Sequence, residues 1–189
     1  MQHFFADNTY LRQDFSTKKL AKADYENCVF EDCMFQKGYL DNQHFIDCFF
    51  KNCDLTNANV AYTQFNGVTF EGCKLLGISF DTCNTLFLKF KFTGCNLSLT
   101  SFYGMDISDT AFDHCKMHQV DFTNANLSKY RFLECDLAQA QFETTNLYMT
   151  DFRSAINFSI DPNLNRLKGT KFSKQGLIGL LKKHDIVVE

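Results

Sequence analysis

Large apolar residues recur at every fifth position through most of this chain. One series runs without failure from Tyr25 to Phe80, and a second runs from Phe87 to Phe152. The residue two positions before each of them is mostly small, often Cys, Ala or Thr. This spacing matches neither the period of an α-helix nor that of a simple β-strand. We therefore predict a chain that turns a corner every five residues and buries two residues of each five.

A second period of twenty residues is superimposed on the first. Four corners close one coil, and identical side chains then lie above one another on successive coils. Asp or Asn often precedes the large residue, where its side chain can bond the backbone at the corner. The predicted core columns hold Phe30, Phe50, Phe70, Phe92, Phe112, Phe132 and Phe152, and Cys33, Cys53, Cys73, Cys95, Cys115 and Cys135.

The cysteines favour packing over chemistry. The chain has nine of them, and no apolar leader or membrane span follows Met1, so we expect free thiols in a reducing cytoplasm. Each cysteine occupies the small inward position, where a thiol behaves as a small hydrophobic group. His114 and His118 are four residues apart but fall on different faces of such a coil. We therefore expect no metal site and no cofactor.

Segments such as NCDLTNANV, VDFTNANL and CDLAQAQF resemble the A(D/N)LXX unit of the pentapeptide-repeat family. The resemblance covers about residues 15 to 157 and implies an all-β solenoid, a right-handed quadrilateral β-helix. About seven coils with a strand spacing of ~4.8 Å would form a rod of roughly 35 Å. Each coil of such a rod contacts only its neighbours, and its ends need caps. We assign residues 1–157 to this domain.

The five-residue period is lost in residues 158–189, which we assign to a C-terminal cap. Ser173 is a plausible N-cap, and the residues after it predict a short helix followed by a strand. The stretch Ile160 to Lys168, the K-F-S sequence and SFYGMDISDTAF at 101–112 resemble the gyrase-protecting Qnr and albicidin-resistance type of the family. In that type the module joins two copies head to head. The resemblance implies a homodimer through Leu177, Ile178, Leu180, Leu181, Ile186 and Val188.

The two series are out of phase because the segment 81–91 contains two extra residues. Cys83 belongs to the first register and Cys95 to the second, so their spacing is twelve instead of a multiple of five. We predict a bulge or bend that separates two stacks, either as a tolerated insertion or as a hinge or partner contact. Phe87 opens the second series, and we expect some of Leu86, Leu88 or Phe90 near the surface. The candidate contact residues are Thr85, Leu86, Phe87, Leu88 and Phe90.

No pattern in the sequence indicates catalysis. It contains no phosphate-binding glycine loop and no nucleophile elbow. A filled rod also offers no cleft in which two carboxylates could act as acid and base. We therefore expect a binding protein and no enzyme.

The resemblance implies a protein that engages DNA gyrase or a related type II topoisomerase as a DNA-shaped rod and protects it from an inhibitor or toxin. The tail holds six Lys or Arg against three Asp or Glu, which leaves −6 on the repeats out of a net −3. A ~70 Å duplex carries about 40 charges, so mimicry would rest on shape and a local acidic stripe. Quinolone-protecting relatives carry long loops that the unbroken units here lack, which favours the albicidin-resistance type. The alternative is a scaffold for another protein partner. Neither hypothesis involves binding to nucleic acid or membrane.

Overall fold

A computed structural model describes residues 3–184 of the chain. Short strands dominate the first two-thirds, and short 3-10 helices cover Phe80–Thr82, Gln175–Leu180 and Lys182–His184. No helix within residues 3–184 is long and apolar enough to cross a bilayer. The strands are β1 His3–Ala6, β2 Thr9–Leu11, β3 Ala23–Glu26, β4 Val29–Glu31, β5 His44–Ile46, β6 Phe49–Lys51, β7 Gln64–Asn66, β8 Val68–Glu71, β9 Phe90–Thr93 and β10 Ala111–Asp113.

Each strand pairs in parallel with strands one coil away. The sheet β1-β3-β5-β7 forms face 1 of the coil, and the sheet β2-β4-β6-β8-β9-β10 forms face 2. Single β-bridges form the other two ladders, which begin at Asp14–Met34 on face 3 and at Tyr39–Asn59 on face 4. Partners are twenty residues apart, as Phe45 and Phe65 are. The all-β solenoid predicted from the sequence is confirmed.

An aromatic column fills the inside of face 2 along the rod. Neighbouring rings stack with centroids between 4.7 Å, for Tyr10 and Phe30, and 6.1 Å, for Phe112 and Phe132. These distances lie in the favourable range for aromatic pairs. Rings from adjacent faces meet this column edge-on, as Phe35 meets Phe30 at 5.7 Å. The column holds Tyr10, Phe30, Phe50, Phe70, Phe92, Phe112, Phe132, Phe152 and Phe172.

The small inward residues also bind one coil to the coil below. The Cys53 thiol donates to the carbonyl of Phe30 at 3.2 Å, and the Thr63 hydroxyl donates to the carbonyl of Leu40 at 2.6 Å. All nine cysteines are free and buried. A thiol is a weak donor, but the same bond recurs from coil to coil. This donor role explains why Cys and Thr share the position, and the sequence argument, which treated the thiol only as a small hydrophobic group, missed it.

The corners require left-handed backbone. Asp47 and Gly67 occupy the same corner on successive coils, with φ of +49° and +69°. A Cβ on Gly67 would lie 2.2 Å from Oδ1 of Asp47, so another residue there would make the Asp47 side chain move, and the positive φ also favours glycine. Beside other corners, Asp54 Oδ1 accepts a hydrogen bond from the Thr56 N–H at 3.0 Å, which is the predicted local bond.

The solenoid continues past the predicted boundary at residue 157. Arg166 pairs with Asn146 and Lys171 with Asp151, so the twenty-residue register persists on faces 1 and 2. Thr170 donates its hydroxyl to the carbonyl of Leu147 at 2.7 Å, as the inward residues of earlier coils do. Leu167 and Phe172 are partly buried against the core. The repeat is therefore interrupted locally, around residues 161–164, and then resumes.

The end of the chain packs over this last coil in short 3-10 helices, where the sequence predicts one helix. The N-cap of Gln175–Leu180 is Lys174, one residue after the predicted Ser173, although Ser173 Oγ does accept a hydrogen bond from the Gly176 N–H at 3.0 Å. Gly176 and Gly179 lie against the ring of Phe158, where a Cβ would come within 2.9 and 2.6 Å of ring atoms. The two glycines let the backbone cover Phe158. The predicted strand at Ile186–Val188 lies outside the described residues.

Candidate functional site

The two extra residues enter between positions 84 and 90. Gln64 pairs with Asn84, twenty residues on, whereas Val68 pairs with Phe90, twenty-two residues on. The backbone N–H of Lys89 donates to the carbonyl of Phe65 at 3.1 Å, which anchors the end of the longer coil. Residues 85–88 therefore form a bulge on face 1.

Phe90 fills the core beneath this bulge and is only 2% exposed. It occupies the small inward position of face 2, yet its ring lies 5.3 Å from Phe65 and 5.1 Å from Phe80. Thr85, which has the register of a face 1 core residue, is exposed. Phe90 thus occupies the space that a large residue at position 85 would otherwise fill. Of Leu86, Leu88 and Phe90, some of which were expected near the surface, Phe90 is the buried one and Leu86 is exposed.

The remaining apolar residues of the bulge point outward. Leu86 is 58% exposed and Phe87 is 68% exposed with φ of +58°, while Leu88 is half-buried against the core. Phe87 was expected to open the second core series, and the structure contradicts that expectation. Phe87 lies five residues before Phe92 and so keeps the five-residue spacing, but the bulge places its side chain on the outside of the rod. Leu86 and Phe87 form an apolar patch, which we call the bulge patch.

The bulge interrupts one ladder of the four. β8 pairs with β9 across it on face 2, Lys74 pairs with Asn96 on face 3, and Ser79 pairs with Ser101 on face 4. On face 1, the described bridges stop at Asn84 and resume at Asp106. The rod is therefore continuous through the segment 81–91, and the predicted interruption between two stacks is confined to face 1.

The exposed tail provides a second apolar surface at the C-terminal end. Leu177 is 49% exposed and Ile178 is 47% exposed, whereas Leu180 packs against the core and Leu181 is half-buried. Of the four predicted dimer residues that the structure describes, Leu177 and Ile178 are thus the most exposed. Ile186 and Val188 lie outside the described residues. An open cavity of about 280 Å³ lies beside Ile178, between the tail and the last coil.

Charged side chains on faces 2 and 3 pair across neighbouring coils. Lys51 Nζ lies 2.9 Å from a carboxylate oxygen of Glu31 on face 2. On face 3, His118 Nε2 lies 2.7 Å from Asp136. Such partly exposed pairs add little stability. On face 2, the Lys51 ammonium does offset the charge of Glu31.

The buried groups offer little for chemistry. Burial raises the pKa of the Cys33 thiol to about 11 and that of the Cys48 thiol to about 12, so both stay protonated near neutral pH. Within residues 3–184, no cluster of three or more His, Cys, Asp or Glu side chains is arranged to hold a metal ion. The outward surfaces are therefore the candidate functional sites.

The role of Phe90 was missed from the sequence, although a signal was present. F-K-F at 90–92 places two large apolar residues two apart, which is the spacing of the two inward positions of one unit. Likewise, Asn165 with Leu167 and Thr170 with Phe172 repeat the inward pair in the register of the preceding coil. The first two signals were hidden because Phe90 is unusually large for its position and Asn165 is unusually polar, whereas Thr170 with Phe172 is an ordinary pair.

Comparisons with known proteins were made on sequence and on structure. The family model "Pentapeptide repeat region" matches residues 85–158, and "Pentapeptide repeats (8 copies)" matches residues 39–72. No curated protein sequence matches the chain. A similar solved structure is HetL, a pentapeptide repeat protein involved in heterocyst differentiation regulation from the cyanobacterium Nostoc sp. strain PCC 7120. Its TM-score is 0.75 at 17% identity, over 93% of this chain and 89% of HetL.

QnrB1, described as a plasmid-mediated fluoroquinolone resistance protein, is similar too. A trypsin-treated variant has a TM-score of 0.70 at 18% identity, over 99% of this chain and 92% of its own. Full-length QnrB1 has a TM-score of 0.56 at 16% identity, over 97% of this chain and 100% of its own. Identities this low establish a common fold and no more. Together with the two matched segments and the twenty-residue coils, they show that the chain belongs to the pentapeptide-repeat family.

Proposed function

We propose that this protein binds DNA gyrase or a related type II topoisomerase as a DNA-shaped rod and protects it from an inhibitor or toxin. It acts without catalysis, as a cytoplasmic homodimer, and needs no cofactor, nucleic acid or membrane. The observation that carries the proposal is the filled rod from Phe5 to Phe172, which ends in a tail resembling that of the gyrase-protecting type. The fold likeness to QnrB1, a fluoroquinolone resistance protein, supports the same function.

Shape is the stronger part of the argument. The net charge of −3 per chain is far from the about 40 charges on a ~70 Å duplex. Two rods joined end to end would approach the length of such a duplex, because each is roughly 35 Å long at ~4.8 Å per coil. Binding would then depend on the fit of a straight rod and on local charge.

The exposed apolar pair Leu177 and Ile178 supports head-to-head association. Together with the adjoining cavity, it places apolar surface at the end of the rod, where a second copy could cover it. Leu180 already packs within the chain, so it serves the cap more than the interface.

The test measures binding of the purified protein to purified gyrase, with and without duplex DNA as competitor. We expect binding that DNA displaces, together with a higher inhibitor concentration for half-inhibition of supercoiling. Quinolones, albicidin and a peptide toxin are compared, because the proposal does not depend on which one is opposed. Absence of gyrase binding together with unchanged sensitivity to all of these would refute the proposal.

The dimer is tested separately with Leu177→Asp/Ile178→Asp. Both side chains are about half exposed, so the monomer should still fold, while sedimentation should show half the mass. Leu86→Asp is the matched control, since Leu86 is similarly exposed but lies in the bulge patch. A double variant that sediments like the unchanged protein would exclude this interface.

A second candidate function is a scaffold for a different protein partner. HetL, whose described role is in differentiation regulation, has a TM-score of 0.75, so fold likeness alone does not favour the topoisomerase. A pull-down that returns one partner other than a topoisomerase, together with no binding to gyrase, would favour the scaffold.

A further inference from the structure

Unlike the other three faces, the middle of face 4 carries no Lys or Arg on its surface or at either of its corners. Between residues 38 and 145, the Lys and Arg side chains lie on face 2, on face 3 or at the corner between faces 1 and 2. They are Lys51, Lys74, Lys89, Lys91, Lys116, Lys129 and Arg131. Face 4 carries a bridge ladder from Tyr39 to Gln141. Apart from Ala61, the outward residues of this ladder and those beside it are tyrosine, uncharged polar or acidic.

The acidic residues above the first coils of face 4 are unpaired. Asp81, Asp121 and Glu143 follow one another up this face, and none takes part in an ion pair within residues 3–184. By contrast, face 2 has Lys51–Glu31 and Arg153–Asp151 pairs at 2.9 and 2.7 Å. Asp81, Asp121 and Glu143 therefore keep a negative charge, whereas Glu31 and Asp151 on the opposite face are paired with a cation.

Exposed tyrosines lie along the same face. Tyr39, Tyr62 and Tyr103 are 53%, 71% and 51% exposed. Tyrosine is enriched in protein interfaces because it gives a large contact area and a polar end at low entropic cost. At the lower end of the face, Lys19 Nζ lies 4.3 Å from the centre of the Tyr39 ring. This contact within the chain is the kind that an incoming cation would make with Tyr62 or Tyr103.

The bulge patch continues this surface around the corner. Tyr62 precedes Gln64 by two residues, and Gln64 Nε2 donates to the carbonyl of Leu86 at 3.2 Å. The exposed Leu86 and Phe87 thus lie on face 1, which shares a corner with face 4.

From these observations we infer that face 4, from Tyr39 to Glu143, is the docking face of the rod and that its partner is a protein surface lined with Lys and Arg. The inference rests on the proposed function, in which that surface is the DNA-binding groove of the topoisomerase. Charge complementarity selects a basic partner, since unpaired carboxylates attract it while the lysines of faces 2 and 3 would oppose it.

The test compares two variants with the same change of charge. The face 4 variant is Asp81→Lys/Asp121→Asn/Glu143→Lys, in which Asn can still accept the local bond from the Thr123 N–H. The control variant, on face 2 and at its corner with face 3, is Glu71→Lys/Asp113→Asn/Glu134→Lys, of which Glu134 lies 3.3 Å from His114. Circular dichroism and thermal unfolding first verify that both variants keep the solenoid.

Binding to gyrase is then measured at several salt concentrations. We expect at least a tenfold loss of affinity and a weaker salt dependence for the face 4 variant, and a change of less than about threefold for the control. Tyr62→Ser/Tyr103→Ser should also weaken binding severalfold without changing the salt dependence. Equal losses in the two charge variants, or a loss confined to the control, would overturn the inference.

Absence of gyrase binding by the unchanged protein would instead count against the proposed function. The inference is then decided with an arginine-rich peptide, whose binding site is mapped by NMR shifts of the backbone amides. Shifts concentrated on face 4 would support the docking face. Shifts spread over faces 2 and 3 would refute it.

Discussion

Faces 1 and 2 respond differently to the same two-residue insertion. On face 2, Phe70 and Phe92 stack with centroids 5.2 Å apart and planes 10° apart, as if the insertion were absent. On face 1, the bridge ladder is interrupted. The ring above Phe65 is that of Phe90, which belongs to the neighbouring face and is tilted by 51° relative to the Phe65 ring. The insertion is thus absorbed at one face, and the core stays filled because one side chain is larger than its position usually allows.

The difference teaches that continuity of this rod depends on filled volume more than on an unbroken ladder. A coil can lose a backbone pairing on one face when three other ladders continue and the interior holds no void. Loss of an aromatic ring should therefore destabilise the protein strongly in the face 2 column and very little on the outside of the bulge.

Phe92→Ala should give the largest effect. The ring is fully buried between Phe70 and Phe112, so its removal leaves a cavity that costs about 3–5 kcal/mol of unfolding free energy. Urea denaturation measures the change. Phe172→Ala, at the partly buried end of the same column, is the control and should cost less. Equal costs would mean that the column does not stabilise the middle coils more than the end.

Phe90→Val should cost about 2–3 kcal/mol, because valine fits the inward position but leaves the space above Phe65 empty. Val68, one coil below, shows that this position accepts valine in a regular coil. Thr110→Val, one coil above, is the matched control and should change stability by less than about 1 kcal/mol. A cost for Phe90→Val as small as that of the control would disprove that Phe90 substitutes for the missing face 1 residue.

Gln43→Thr should change the free energy of unfolding by less than about 1 kcal/mol, because two effects oppose each other. Gln43 is fully buried in the small inward column of face 1, and its Nε2 has no hydrogen-bond partner within residues 3–184, but its Oε1 accepts a hydrogen bond from the Ala23 N–H at 3.0 Å. The substitution removes both the unpaired donor and this bond. Thr63, one coil above, donates to the carbonyl of Leu40. Thermal unfolding reads out the change, and Gln43→Ala, which cannot donate to a carbonyl, should be less stable than the threonine variant. A threonine variant that is no more stable than the alanine variant would contradict this account.

Stability should fall in alkaline solution because buried thiols lie on both face 1 and face 2. Burial raises the pKa of Cys48 on face 2 to about 12 and also raises that of Cys83 beside the bulge. An unfolded thiol ionises near pH 8.5, so the contribution is complete below that pH and is lost as pH rises through the folded values. Urea midpoints from pH 7 to 11 measure the decline, which Cys48→Ala should reduce. A flat profile would argue against protonated thiols in the core.

Phe87→Ser should have the smallest effect, within about 0.5 kcal/mol, because the ring is mostly exposed. Thermal unfolding measures it beside Leu88→Ala, which removes a half-buried side chain and should cost more. A loss for Phe87→Ser that equals the loss for Leu88→Ala would place Phe87 in the core after all.

The sequence predicts the repeat well where two independent periods agree. Phe30, Phe50 and Phe70 are fixed by both the five-residue and the twenty-residue spacing, and each lies fully buried. Prediction fails where size and position conflict. Phe87 has the spacing of a core residue and Phe90 does not, yet volume in the folded coil reverses their roles.

The candidate surfaces were less predictable than the core. In the sequence, Asp81 and Lys74 are two of many interspersed charged residues. Only the position of each residue on a face shows that Lys74 forms an ion pair with Asp54 and that Asp81 forms none within residues 3–184. The tail was read as one helix because Leu177, Ile178, Leu180 and Leu181 suit a helical face. Packing of Gly176 and Gly179 onto Phe158 instead produces tighter 3-10 turns.

The longer coil also has a mechanical consequence. When such a rod is pulled from its two ends, coils that contact only their neighbours should come off one at a time. Each ordinary coil of twenty residues would lengthen the tether by roughly 70 Å at ~3.5 Å per residue. The coil that contains the bulge has twenty-two residues and would release about 7 Å more. In a force–extension trace, that one longer step would mark the position of the bulge along the rod.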